Sequence, residues 1–263
     1  MRQEHLDGYL ALLGVARPEG APDAALLAEL QRRHLIAVPF ENLDIHLGRP
    51  IRLVEDELVA KVVDRRRGGF CYELNGAFGA LLRALGYDVS LLAARVFVDG
   101  GASVGIPYDH MTLLVRLDEP WLADVGFGRF AREPLRFDVR DEQPDAEGVF
   151  RIVDGPDGDV DVHGDGGPEF RMEIRPRELV DFTAGAWWHQ TSPLSHFTRG
   201  PVCTRLTPEG GRITLAGRTF IRTGPDGRHQ EELPDDAAIL AAYREHFGIV
   251  LDRVPDNTPP VAT

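Results

Sequence analysis

Cysteine is almost missing from this chain of 263 residues. Cys71 and Cys203 are the only two, and they form no Cys-x-x-Cys pair. A disulfide framework is thereby excluded, and a free thiol fits a reducing compartment. Positive charge is scarce too: 29 Lys and Arg stand against 42 Asp and Glu, a formal net charge of −13. That balance argues against sequence-independent nucleic-acid binding, and it leaves any anionic ligand to local donors rather than to the field of the whole protein. Long apolar runs are absent, since none approaches the roughly 20 residues that span a bilayer. Met1 to Asp7 lacks the apolar stretch of a signal peptide. The expectation is a cytoplasmic protein with no nucleic-acid and no membrane partner. What remains is ordinary for a globular protein, with 43% hydrophobic and 27% charged residues. This length buries a core without disulfides or metal, in one large domain or two to three small ones.

The first third reads as helical. Tyr9, Leu10, Leu12 and Leu13 cluster before Gly14, and Pro22-Asp23 opens a second helix that closes before Pro39. Glu57 to Val63 makes a third. A fourth starts near Cys71, where Leu74, Ala77, Phe78, Leu81, Leu82 and Leu85 mark one buried face and Gly86 ends it. After Gly86 the period shortens. Val89 to Val98, His110 to Leu117 and Trp121 to Val125 read as strands. So do Val149 to Val153, Phe170 to Ile174, Thr204 to Leu206, Arg212 to Leu215 and Thr219 to Arg222. Asp235 to Phe247 closes the chain as a helix before a Pro-rich tail, Pro255 to Thr263, that is expected to fray. The Asp- and Gly-rich stretch Asp138 to Asp165 reads as solvated turns between strands. Its Asp157-Gly158-Asp159 lacks the later glycine and glutamate of a calcium loop.

Chemistry concentrates at Arg66-Arg67-Gly68-Gly69-Phe70-Cys71-Tyr72-Glu73-Leu74-Asn75. A thiol at a helix N-terminus with arginines behind it is expected to favour the thiolate. A nucleophilic cysteine needs a base, and that base needs an orienting group. Among nine histidines, His110 stands out because it opens an apolar strand. Asp124 stands out because a carboxylate inside Trp121-Leu122-Ala123-Asp124-Val125 is costly unless paired. Direct opposition of the two needs a hairpin centred near Leu117. The Asp118-Glu119-Pro120 turn suggests a centre nearer Glu119, so a bulge or a diagonal contact is required.

These residues resemble a known family. The segment around Cys71 resembles the active-site motif of the arylamine N-acetyltransferases. His110 and Asp124, the latter in Asp-Val-Gly-Phe-Gly, match that family's histidine and aspartate. Pro39-Phe40-Glu41-Asn42 and Thr191-Ser192-Pro193 match two further blocks, in order, across residues 39 to 197. The resemblance implies an α+β fold with a cysteine-protease-like triad core. Its parts would be a helical bundle over 1–86, a β-barrel over 87–190 and an α/β lid over 191–263. It implies ping-pong acetyl transfer from acetyl-CoA through Cys71 to an arylamine, arylhydrazine or arylhydroxylamine. Acetyl-CoA would be a cosubstrate, with no permanently bound cofactor. The expected assembly is a monomer or weak homo-oligomer.

Phe40, Phe127 and Phe197 are expected as aromatic walls or as plain core. Gly126 and Gly128 either flank the CoA route or form a simple turn. Glu41 and Asn42 are expected as structural hydrogen-bonders. The family usually has an arginine where this chain has Leu12, so Glu41 is expected to pair with Arg66 alone. Trp187-Trp188 is expected to pack at a domain junction. His189 and His196 have no third ligand, so no metal is assigned, and Cys203 is expected to be inert. Rival functions are an amide synthase of the same fold, a cysteine hydrolase or transglutaminase-like enzyme, and a sensor of CoA or arylamine.

Overall fold

The computed structural model describes residues 1–256, so most of the tail expected to fray lies outside the described residues. Helices α1 (Gln3–Leu13) and α2 (Ala24–Ala37) come first. Gly14 closes α1 in a left-handed conformation, and the Asp23 carboxylate caps α2 by accepting the Leu26 N–H. Strand β1 (Phe40–Glu41), α3 (Leu43–His46), α4 (Glu55–Val63) and α5 (Cys71–Ala84) follow.

Helix α5 is more central than its sequence pattern suggests. Every residue from Cys71 to Leu82 is buried, not one face only. Helices α1 and α4 pack on one side of it and the following strands on the other. Its small residues Gly76, Ala77, Gly79 and Ala80 let these neighbours close in. Leu74, Phe78 and Leu81 are fully buried there, each contributing about 1.5–3 kcal/mol of burial free energy.

Strands β2 (Asp88–Val98), β3 (Ser103–Val104), β4 (His110–Arg116), β5 (Pro120–Ala123), β6 (Leu135–Arg136), β7 (Gln143–Asp145), β8 (Gly148–Asp154), β9 (Val160–Gly164) and β10 (Gly167–Arg177) build one antiparallel sheet. Its order is β6-β5-β4-β2-β10-β9-β8-β7, with β3 paired to β2. The two edges are tied together by a side chain. The Arg136 N–H donates to Gln143 Oε1 at 2.7 Å, and Gln143 Nε2 donates to the Arg136 carbonyl at 3.0 Å. The sheet is thus nearly closed into a barrel around Leu92, Leu122, Ile152, Val162, Phe170 and Met172. The segment read as solvated turns holds β7 and β9 as well as β8. Pro156–Gly158, with Asp157 at φ 58°, is the tight turn that the Asp157-Gly158 pair suggested.

Helix α6 (Thr183–Thr191) leads to a second antiparallel sheet: β11 (Val202–Leu206), β12 (Arg212–Ala216), β13 (Thr219–Gly224) and β14 (Gly227–Glu232). Strand β1 joins it from far away in sequence, pairing Phe40 with Thr204 and Glu41 with Cys203. Helix α7 (Asp236–Phe247) packs on it through Ile239, Tyr243 and Phe247. Among the described residues no helix is long and apolar enough to cross a membrane.

Candidate active site

Cys71 is the first residue of α5, preceded by Phe70 in extended conformation. Glu73 folds back so that its Oε2 accepts the Phe70 N–H at 3.2 Å, which fixes the helix start. The thiol is 3% exposed. Burial pushes it well above the usual thiol range, and the Asp109 and Asp124 carboxylates push it further. The backbone amides of Met111 and Tyr72 near the sulfur oppose this. The arginines expected to help do not. Arg66 is exposed, with φ 52° turning it outward. Arg67 is committed to Glu41 and Asp44. A proton therefore stays on this sulfur until a base takes it.

The candidate base and its candidate partner are in contact. His110 opens β4, and its Nε2 lies 2.6 Å from Asp124 Oδ2, with both residues buried. The hairpin pairs Arg116 with Pro120 and Leu113 with Ala123. Asp124 therefore falls just past β5 at the level of Thr112, two residues from His110 on the same face, and the contact is diagonal. Burial alone would raise the Asp124 carboxyl. The His110 ring, the Asn75 amide and the Gly126 N–H outweigh it and hold the carboxyl below its usual value.

Two residues that sequence reasoning gave no role complete this arrangement. Asn75 Nδ2 lies 2.9 Å from Asp124 Oδ1 and 2.6 Å from the Met111 carbonyl, and its Oδ1 accepts the Val125 N–H. One turn beyond Cys71, it locks α5 to both strands that carry the pair. Its place at i+4 from the cysteine was the available signal. Gln31 of α2 accepts the Asp124 N–H at 3.2 Å and is fully buried. Nothing local marks it. Gly126 lies against the start of α5: a Cβ there would lie 2.8 Å from the Cys71 Cα.

Phe127 packs edge-on against the His110 ring at 5.1 Å, and Phe40 lies 6.0 Å from Phe197, which in turn packs on Phe70. Gly128 adopts φ 93° beside Phe40. Asn42 holds Phe197 from behind, donating to its carbonyl at 2.8 Å and to that of Gly200 at 2.9 Å. Cys203 is fully buried on β11, away from this group.

Behind the α5 start lies a buried charge cluster. Arg67 Nε donates to Glu41 Oε1 at 2.9 Å, so Glu41 pairs with Arg67 and not with Arg66. Lys61, 4% exposed, reaches Glu73 at 2.6 Å and Asp44 at 2.7 Å. Leu12 lines a neighbouring cavity of about 180 Å³ with Arg66 and Arg67 and joins no ion pair. Three buried carboxylates face two buried cations, with half-exposed Arg49 reaching Asp44 from the rim at 3.8 Å, so one carboxylate lacks a buried cation. Burial places the excess on Glu73, whose carboxyl is raised from 4.5 to about 7. A raised carboxyl contributes stability that is complete below pH 4.5 and lost as pH rises through about 7. Glu73→Gln is therefore expected to flatten the fall in melting temperature between pH 5 and 7 relative to the unsubstituted chain. Parallel curves for the two proteins would show that Glu73 stays ionised throughout.

A family model described as N-acetyltransferase matches residues 23–255. An Escherichia coli protein named arylamine N-acetyltransferase is 35% identical over 234 residues, covering 86% of this chain and 82% of the relative. The solved arylamine N-acetyltransferase from Salmonella typhimurium superposes with a TM-score of 0.87 at 32% identity, over 97% of this chain and 94% of that one. The Mycobacterium marinum arylamine N-acetyltransferase in complex with CoA gives 0.83 at 32% identity, over 93% and 92%.

Proposed function

The chain belongs to the arylamine N-acetyltransferase family, and from that premise we propose that it carries acetyl from acetyl-CoA to an arylamine, arylhydrazine or arylhydroxylamine through Cys71. The observation that carries the roles is the 2.6 Å contact of His110 with Asp124 behind the buried Cys71 at the start of α5. Because Asp124 occupies Nε2, the other ring nitrogen of His110 takes the Cys71 proton. Asp124 fixes the tautomer and stabilises the imidazolium. The thiolate attacks the thioester carbonyl, the C–S bond to CoA breaks, and the leaving thiolate collects the proton from His110. The exchange of one thioester for another is nearly isoenergetic, so the acyl group is held without loss. An aromatic amine, mostly neutral at pH 7, then attacks acetyl-Cys71, the acetyl–sulfur bond breaks to release the Cys71 thiolate, and the amine proton passes to His110. Backbone N–H groups near Cys71 are the candidate oxyanion donors.

The aromatic group Phe40, Phe127 and Phe197 with Gly128 is assigned to the wall of the acceptor and CoA cleft. Glu41 and Asn42 brace it from behind. Arg66, exposed, is replaced in that bracing role by Arg67. The same reading divides the chain near residues 86 and 190. The barrel-interior cluster lies wholly between those bounds, whereas the α5 cluster takes in Leu91, Met111 and Leu113 and the α7 cluster takes in Leu43 and Leu47.

Intact-mass measurement after incubation with acetyl-CoA tests the proposal. One acetyl adduct is expected, absent in Cys71→Ala and discharged by an arylamine. No adduct with acetyl-CoA, alongside adducts from longer acyl thioesters, would overturn the donor and favour an amide synthase.

A further inference from the structure

Asp109 precedes His110 and has no part in the mechanism above, yet its carboxylate is held from two sides. Oδ2 accepts the Val96 N–H at 3.2 Å, and Oδ1 lies 3.0 Å from His189 Nε2. The same ring nitrogen is 3.2 Å from the Asp109 carbonyl oxygen. The opposite nitrogen, Nδ1, is 2.9 Å from Ser195 Oγ, and that oxygen accepts the Phe197 N–H at 3.2 Å. His189 and Ser195 are each 1% exposed. A continuous row thus runs from β2 through Asp109, His189 and Ser195 to Phe197. The row superficially resembles a serine nucleophile with its base. Ser195 is sealed from solvent and already occupied by a backbone N–H, so it is not a nucleophile.

The row ends at a strained corner. Tyr108 is a non-glycine residue at φ 59°, a conformation that persists only where surroundings impose it. Its carbonyl accepts from the Tyr72 hydroxyl at 2.6 Å, and Tyr72 directly follows Cys71. Helix α6 presses on this contact through Gly185, where a Cβ would lie 2.6 Å from the Tyr108 oxygen and 2.9 Å from the Tyr72 hydroxyl. Four residues further along α6 comes His189, reaching Asp109 from the same helix. The corner Tyr108-Asp109-His110 is therefore clamped from α5, from β2 and from α6.

We propose that Asp109, His189 and Ser195 are positioning residues for His110: they hold the strained corner so that the imidazole meets Cys71, and they tie that corner to the Phe197 wall. This rests on the Cys71–His110 assignment made above. A small displacement of a base costs rate far more than it costs binding. The relay should therefore be read in the limiting rate rather than in half-saturation.

The test follows Cys71 acetylation against acetyl-CoA concentration by quenched intact mass, and Cys71 alkylation by iodoacetamide at pH 7, with melting curves for every protein. His189→Leu is expected to lower both limiting rates by about tenfold or more, with half-saturation by acetyl-CoA nearly unchanged. His189→Gln, whose amide can still donate to Asp109, should recover most of the loss. Ser195→Ala deletes a single hydroxyl and guards against a variant that fails to fold; it should slow both reactions severalfold. Unchanged limiting rates in His189→Leu and Ser195→Ala would overturn the relay, as would equal losses in the Leu and Gln variants. If the unsubstituted chain takes no acetyl from acetyl-CoA, the donor assignment fails. The alkylation rates then still decide the relay by the same comparison.

Discussion

His110→Ala should slow alkylation of Cys71 at pH 7 by about 10³-fold, with the thiol still present and titratable under denaturing conditions. The size follows from the surroundings of the sulfur. Burial and two carboxylates raise the thiol well above its usual range, and two backbone amides only partly oppose them. The helix N-terminus and the nearby arginines do not make up the difference, because Arg67 is neutralised by Glu41 and Asp44. Ionisation near neutrality thus requires transfer to an imidazole that becomes positive beside Asp124. Without that ring, alkylation should climb only at alkaline pH, as for a buried isolated thiol. Asp124→Asn keeps the shape and removes the charge, so it should fall between the two. Equal rates at pH 7 with and without His110 would refute the ion pair and return the thiol to activation by the helix.

Lys61→Met is expected to cost about 3–5 kcal/mol, because it strands Glu73 in the interior and leaves Asp44 to Arg67 and the half-exposed Arg49. For a chain of this size that corresponds to a fall in melting temperature of roughly 10 °C. Methionine fills most of the lysine volume, so the loss would come from uncompensated charge and not from a cavity. A second substitution separates these causes. Adding Glu73→Gln removes the excess carboxylate and should restore about half of the lost stability. Additive losses in the double variant would mean that Lys61 acts through packing. The cluster lies behind the start of α5, and Glu73 both pairs with Lys61 and accepts the Phe70 N–H. Destabilising it should therefore also loosen the segment that presents Cys71.

Much of the site was legible before any tertiary contact was known. Gly68-Gly69 followed by an apolar period marks where α5 begins, and an apolar β-branched run after His110 marks β4. These signals are local, set by backbone sterics and by the repeat of each element. The residues with the least local signal were the ones missed. Strand β14, Gly227 to Glu232, is polar and exposed throughout and exists through its ladder with β13. Gln31 and His189 sit on helices whose pattern would accept any residue of similar size.

The sequence by itself determined the candidate residues, their order, and the element on which each of Cys71 and His110 sits. Only the tertiary structure decided the pairings. Arg66 and Arg67 are chemically identical neighbours, and the left-handed backbone at Arg66 sends one outward and the other to Glu41. Lys61 looks like a solvent-facing residue of α4 until α5 covers it. Asp124 reaches His110 diagonally because the hairpin register places it at Thr112. In each case the choice depends on which surfaces are buried together. Burial makes an unpaired charge too costly to keep, and a local pattern of residues cannot specify its distant partner.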